Sequence, residues 1–147
     1  NPSRDSLHDL ILRLKDNYSD LLNSMGISFR AKNLEKLKDV KLPMDVKQNL
    51  YLIFKEAINN SIKHSKCKHI ALESNLRNDV LEISLSDDGT GFDESKISKG
   101  NGLKNMENRA AQIKGRIKIK SSVNSGTSIR FIGKPGTTNK FKSLLKK

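Results

Sequence analysis

FKEAINNSIKHS, Phe54 to Ser65, carries two patterns on one segment. Phe54, Ala57, Ile58 and Ile62 recur at helical spacing, as the core-facing stripe of an amphipathic helix does. Glu56, Asn59, Asn60, Lys63 and His64 crowd the same few turns. At about 100° per residue, Glu56, Asn60 and Lys63 fall within an arc of about 60°, with His64 beside them. This polar stripe borders the apolar one instead of opposing it. Carboxylate, amide and ammonium groups at the edge of a core are costly unless something satisfies them. A divalent cation with phosphate oxygens would do so, Asn60 offering a hard oxygen ligand and Lys63 a point charge. A polar helix edge with Glu56 bonded to Asn60 accounts for the stripe equally well.

The flanking sequence sets this helix in a two-layer fold. Residues 4–24 read as an amphipathic helix through Leu7, Leu10, Ile11, Leu14, Tyr18, Leu21 and Leu22, stopped by Gly26. ISFRA is a short strand and KNLEKLKDVKLP a polar connector. Pro43, in the first-turn position, opens the central helix, which runs to about Ser65. HIALESNLR and VLEISLSD alternate strictly across Asn78-Asp79, as a hairpin does. A polar loop runs from Asp88 to about Gly102, LKNMENRAAQIK is a helix ended by Gly115, and RIKIKSS and TSIRFIG form a second hairpin across VNSG. The order predicts an α/β (α+β) two-layer sandwich, a mixed, mostly antiparallel sheet of about five strands with three main helices on one face. One domain is expected over residues 1–133, followed by a basic tail over 134–147.

With 147 residues, 35% hydrophobic and 30% charged, the chain has the composition of one globular domain. Its apolar runs are too short for a membrane-spanning helix within this segment. The opening NPSRDSLHDL resembles no leader and has mid-helix character, as an excised fragment would. The net charge of +12 fits either a polyanionic partner or a lysine-rich solvated surface with a basic tail. The absence of Trp and the 5% aromatic content argue against nucleic acid, which needs stacking platforms. Cys67 is the single cysteine, so no internal disulfide or cysteine-rich zinc site exists; Lys66 and Lys68 would lower its pKa if it were exposed.

Three further stretches bear on chemistry. In SLSDDGTGFD, Asp87 follows Leu81, Ile83 and Leu85 on one face of its strand, so an acid continues a core-facing row. Gly89 and Gly91 would let the backbone approach a flat ligand, and the carboxylate would accept from an adenine amine; a plain Asp-Gly turn is the alternative. GNGLKNM, Gly100 to Met106, opens a helix with freed amides, an anion site in principle. SGTSI places Thr127 at the start of the last strand. A phosphate loop ending in Gly-Lys-Ser/Thr is absent, because Gly133-Lys134 is followed by proline.

In this order, EAINNSIKH, DDGTGFD, GNGL and SGTSI closely resemble the N box, the two glycine boxes and the closing threonine strand of the GHKL superfamily, which has the Bergerat ATP-binding fold. The resemblance covers roughly residues 27 to 133 and is nearest to the catalytic domain of bacterial sensor histidine kinases of the nitrate- and desaturase-sensor type. It implies ATP and magnesium: Asn60 as metal ligand, Glu56 in the metal's shell or at the phosphates, and Lys63 and His64 at phosphate or ribose. Glu56 and Lys63 are the implied catalytic pair. Asp87 would read the adenine amine with Thr127 assisting through water, and Gly89 and Gly91 would shape the adenine pocket. Gly100, Gly102 and Leu103 would hinge a lid, with Arg109 a phosphate contact from the lid helix.

The implied activity is transfer of the γ-phosphate to a histidine on a separate dimerisation domain, for relay to a response regulator. LHDL at His8-Asp9 mimics a phosphoacceptor motif, but the space before Glu56 is too short for two long helices, so His8 is read as a surface residue. The acceptor helices, and any membrane anchor of an otherwise cytoplasmic protein, would precede residue 1, and the isolated chain is expected to be a monomer. A serine kinase of the anti-sigma-factor type and a module that binds ATP without transferring it are the alternatives the resemblance leaves open.

Overall fold

A computed structural model describes residues 6–96, 100–136 and 138–139. Helix α1 (Leu7–Ser24) is capped by Ser6, whose Oγ accepts from the Asp9 amide at 3.1 Å. Its stripe of Leu7, Leu10, Ile11, Leu14 and Leu22 is almost wholly buried. The expected helix start at residue 4 lies outside the described residues. Strand β1 (Ser28–Ala31) follows, then a 3-10 turn (Leu34–Leu37) and the two-residue strand β2 (Val40–Lys41). The stretch read as a polar connector is thus partly structured, because Leu37 and Val40 are buried in the core.

The central helix α2 (Met44–Asn60) is α-helical, and Ser61–Ser65 continues it as one π-helical turn. Pro43 sits one position earlier than read, at the N-cap. Val46, Leu50, Ile53, Phe54, Ala57 and Ile58 form the buried stripe of α2. Strands β3 (His69–Arg77) and β4 (Val80–Asp87) form the first hairpin, closed by Asn78 and Asp79 at positive φ of 52° and 67°. That left-handed pair suits the twist of a two-residue hairpin turn.

Helix α3 spans Asn101–Gln112, starting two residues before the expected run and ending before Ile113. Lys114, at φ 59°, makes the left-handed exit. Gly115 therefore opens β5 (Gly115–Ser121), where a Cβ would lie 2.3 Å from the Phe131 ring. Strand β6 (Thr127–Gly133) closes the second hairpin.

The five-stranded sheet has the order β1-β3-β4-β6-β5, with β1 and β3 parallel and every other pair antiparallel. Its inward rows (Ile70 and Leu72; Leu81, Ile83 and Leu85; Ile129 and Phe131) form one core with the buried stripes of the helices. The segment read as a tail carries strand β7 (Thr138–Asn139), antiparallel to β2, and Pro135 is buried. Among the described residues no helix is long and apolar enough to cross a membrane.

Candidate functional site

The C-terminal turn of α2 is fastened to the loop that leaves β4. Ser65 Oγ donates to the Ser61 carbonyl at 2.7 Å and accepts from the Cys67 amide at 3.2 Å, which holds the π turn closed. Such turns recur at functional sites because they re-aim side chains within an otherwise regular helix. The Thr90 amide donates to the Ser65 carbonyl at 2.6 Å. A Cβ on Gly89 would lie 2.2 Å from that same carbonyl oxygen, so glycine is what lets the loop lie against the helix end.

Asp87 stands at the end of β4, half-buried, with both oxygens engaged. Oδ1 accepts from the Gly89 amide at 2.9 Å and Oδ2 accepts from Ser61 Oγ at 2.7 Å. On the neighbouring strand Thr127 is its register partner. Thr127 Oγ1 lies 2.8 Å from Ser121 Oγ, which accepts from the Phe92 amide at 2.9 Å and donates to the Gly126 carbonyl at 3.0 Å. The carboxylate and the threonine are therefore fixed before any ligand arrives.

These groups border a cavity of about 490 Å³ between the helices and the inner face of the sheet. The volume suits a small-molecule site, typically roughly 300–1,000 Å³. Glu56, Asn60 and His64 line it from α2 and the π turn, Asp87 and Gly91 from β4 and its loop, Gly100, Gly102 and Leu103 from the start of α3, and Thr127 from β6. Leu85, Phe92, Met106, Ile119 and Ile129 supply apolar walls. The cavity thus combines apolar walls, a fixed acceptor and polar groups from α2. Glu56 and Asn60 have no hydrogen-bond or ion-pair partner among the described residues, so the Glu56–Asn60 bond that would explain the stripe as a helix edge is not made. A Cβ on Gly102 would meet Glu56 Oε1 at 2.4 Å, which places the carboxylate directly against the first turn of α3.

Three residues singled out from the sequence do not line this cavity. Lys63 is exposed beside it, and Gly89 serves the contact with Ser65. Arg109 faces an adjoining depression with Lys55, Asn59 and Asn105, which shares Glu56 and Met106 with the cavity. Two site residues have no chemical signal in the sequence: Ser61, on the sheet-facing arc of its helix, and Ser121, the hydroxyls that hold Asp87 and Thr127. A serine one residue after Asn60 and another at a strand end carry no signal until the strands are paired.

The two adjacent aspartates are unlike. Asp88 is half exposed and turned to the start of β3, where its carboxylate accepts from the Lys68 and His69 amides at 2.8 and 2.9 Å and meets His69 Nδ1 at 2.7 Å. The hydrogen bonds from the His69 ring and amide lower its pKa to about 2 from 3.8. Because the folded value is depressed, the stabilisation is present above pH 3.8 and is lost as the pH falls toward 2. Thermal melts between pH 5 and pH 2 are expected to show a shallower acid loss for Asp88→Asn than for the parent chain, with ATP binding at neutral pH unchanged. An identical acid profile would mean that Asp88 is not what holds the β3 start. Cys67 is buried, and burial raises its thiol pKa, so the flanking lysines do not activate it.

Residues 45–136 match the family described as histidine kinase-, DNA gyrase B- and HSP90-like ATPase. The sensor protein VraS of Staphylococcus aureus is 33% identical over 129 residues, covering 84% of this chain and 37% of VraS. The Staphylococcus saprophyticus VraS is 31% identical over 117 residues, covering 79% of this chain and 34% of that protein. The chain thus spans little more than a third of the length of these relatives.

Among solved structures, the histidine kinase domain of a blue-light-activated kinase from Erythrobacter litoralis superposes with a TM-score of 0.73 at 14% identity, over 88% of this chain and 61% of that one. The catalytic domain of the histidine kinase ThkA gives 0.70 at 17% identity, over 88% and 94%. At such identities the likeness is one of fold. The family match over most of the folded core and the identity to VraS carry the assignment: this chain belongs to the histidine kinase-, DNA gyrase B- and HSP90-like ATPase family.

Proposed function

We propose that the chain is the ATP-binding catalytic domain of a sensor histidine kinase of the nitrate- and desaturase-sensor type. The observation that carries this reading is the presence in one cavity of a fixed carboxylate, Asp87, among apolar walls and of two polar groups, Glu56 and Asn60, whose side chains have no partner among the described residues. Adenine suits the first and phosphates with a divalent cation suit the second. Asp87 accepts from the purine amine and Thr127 assists. Gly91 admits the ring, while Gly89 keeps the loop in place against Ser65.

The donor set fits magnesium. Among the described residues no group of three or more His, Cys, Asp or Glu side chains gathers into a metal site, and magnesium needs none, since it takes one or two protein oxygens and completes its shell with phosphates and water. Asn60 and Glu56 would hold it, and bound there it neutralises phosphate charge. His64 meets phosphate or ribose, and Lys63 reaches phosphate from the rim. The amides of Gly100, Gly102 and Leu103 close over the phosphates from α3, with Arg109 joining only if α3 moves. Calorimetry with ATP·Mg and a non-hydrolysable analogue tests the reading: both should bind, and no binding of either at millimolar nucleotide would overturn it.

The γ-phosphate goes to a histidine on a dimerisation domain outside this chain, and from there to a response regulator. The full-length protein is a membrane-anchored sensor with this domain on the cytoplasmic side. His8 is not the acceptor. It lies on α1, whose Leu7, Leu10, Ile11 and Leu14 are at most 1% exposed. Transfer needs the acceptor nitrogen about 3–3.5 Å from phosphorus and in line, and a helix held by its own core cannot swing there. The chain alone is therefore expected to take no label from γ-labelled ATP, while a dimerisation domain of the same protein supplied in trans becomes labelled and His8→Gln changes neither result. Stoichiometric labelling lost in His8→Gln would refute this.

A further inference from the structure

We propose that the outer face of the β5–β6 hairpin is a docking surface for an anionic lipid bilayer. Arg116, Lys118 and Lys120 alternate outward along β5 and are exposed. Arg130, exposed on β6, is the register partner of Lys118. Among the described residues none of the four makes an ion pair or hydrogen bond through its side chain. Like charges directly opposite one another destabilise a sheet, and nothing within the fold offsets that here.

The acids on the same face leave the four cations without an ion pair. Glu73 is paired with Lys32 at 2.6 Å, and Glu82, a diagonal neighbour of Arg130 on the adjoining strand, makes no ion pair with it. Lysines on an edge strand can serve to block edge-to-edge pairing. That accounts for Lys118 and Lys120 but not for Arg130, whose strand is paired on both sides.

The chemistry of the patch selects its partner. Beside the cations toward the sheet centre stand Ser84, Ser86 and Ser128, with Ile132 opposite Arg116 and Glu82 beyond it, so most of the surrounding side chains are short and the charges stand proud of them. No aromatic side chain stands on this half of the outer face among the described residues, which leaves neither the anchors of a protein interface nor a stacking platform for bases. A plane of phosphate headgroups asks only for a plane of cations. The inward neighbours Ile119 and Ile129 line the nucleotide cavity, so the patch lies on the opposite side of the sheet and docking leaves the cavity open.

The test uses the whole chain and vesicles of phosphatidylcholine with or without phosphatidylglycerol, sedimented at physiological salt. The chain should sediment with the phosphatidylglycerol vesicles only. Combining Lys118→Gln, Lys120→Gln and Arg130→Gln should weaken that partitioning on the order of a hundredfold. Removing the same charge at Lys36, Lys55 and Lys68 should change it far less. The patch variant should melt no lower than the parent, since opposed like charges have been removed, and this separates lost docking from lost folding. Equal losses in the two triple variants would overturn the proposal, as would no retention by phosphatidylglycerol vesicles. Patch-dependent retention on duplex DNA or on an acidic protein in place of vesicles would overturn it too.

Discussion

Asp87→Asn is expected to weaken ATP binding on the order of ten- to a hundredfold while leaving the fold standing. The two bonds made by the carboxylate explain both halves of the expectation. An asparagine oxygen can take the place of Oδ1 and still accept from the Gly89 amide, which keeps the turn. The amide nitrogen then occupies the place of Oδ2, and the Ser61 hydroxyl, which rotates freely, accepts where it had donated. At the cavity a donor now faces the purine amine, itself a donor. Calorimetry should therefore show the loss for ATP and for adenosine alike, because the damage is to the base and not to the phosphates. A variant that bound ATP as tightly as the parent would remove Asp87 from base recognition.

Gly126→Ala is expected to lose roughly 2–6 kcal/mol of stability, about 1–3 from a non-glycine residue at positive φ and about 1–3 from forced displacement of close neighbours. Gly126 has φ 74°, and a Cβ there would lie 2.0 Å from the Asp87 carbonyl oxygen and 3.3 Å from the Asp88 Cα. Backbone on a paired strand cannot yield as a side-chain tip can. The displacement would also fall on Asp87, the proposed reader of the base, so nucleotide affinity should drop along with the melting temperature. Gly102→Ala is the matched control: its Cβ meets the end of the Glu56 side chain, which can rotate, and its stability should stay near that of the parent. Melts showing the two variants equally stable would mean that the β5–β6 turn tolerates what its geometry forbids.

Much of this architecture is written in short-range pattern. Strict alternation along 69–77 and 80–87 locates the first hairpin, and the same period of two sends Asp87 inward behind Leu85. The helical spacing of Phe54, Ala57 and Ile58 places α2, and the polar stripe beside it puts Glu56 and Asn60 at one cavity.

What sequence could not supply depends on long-range contact. Strands of two residues, such as β2 and β7, are too short to show a period, and they exist because residues about a hundred positions apart pair. The π turn at Ser61–Ser65 has no periodic signature, since the same residues would also continue an α-helix. Lys63 lies in that turn, exposed and off the cavity lining. Arg109 comes from the resemblance alone, and the packing of α3 turns it to a neighbouring depression with Lys55, Asn59 and Asn105. Asp87 and Asp88 are chemically identical in sequence, and only the strand end separates the one facing the cavity from the one facing His69.

The small second sheet has a mechanical consequence. Lys41 bridges Ser6, just ahead of α1, and also pairs with Thr138, beyond the last strand of the main sheet. The segments leading into and out of the domain are therefore laced to the two flanks of one short strand, about two strand spacings or roughly 10 Å apart. Tension applied between a tether before Ser6 and one after Asn139 would run across β2 and be borne there. The cavity lies off that line of force, between α2, α3 and the main sheet. A pull on the two ends would thus load the β2 pairings before the walls of the cavity.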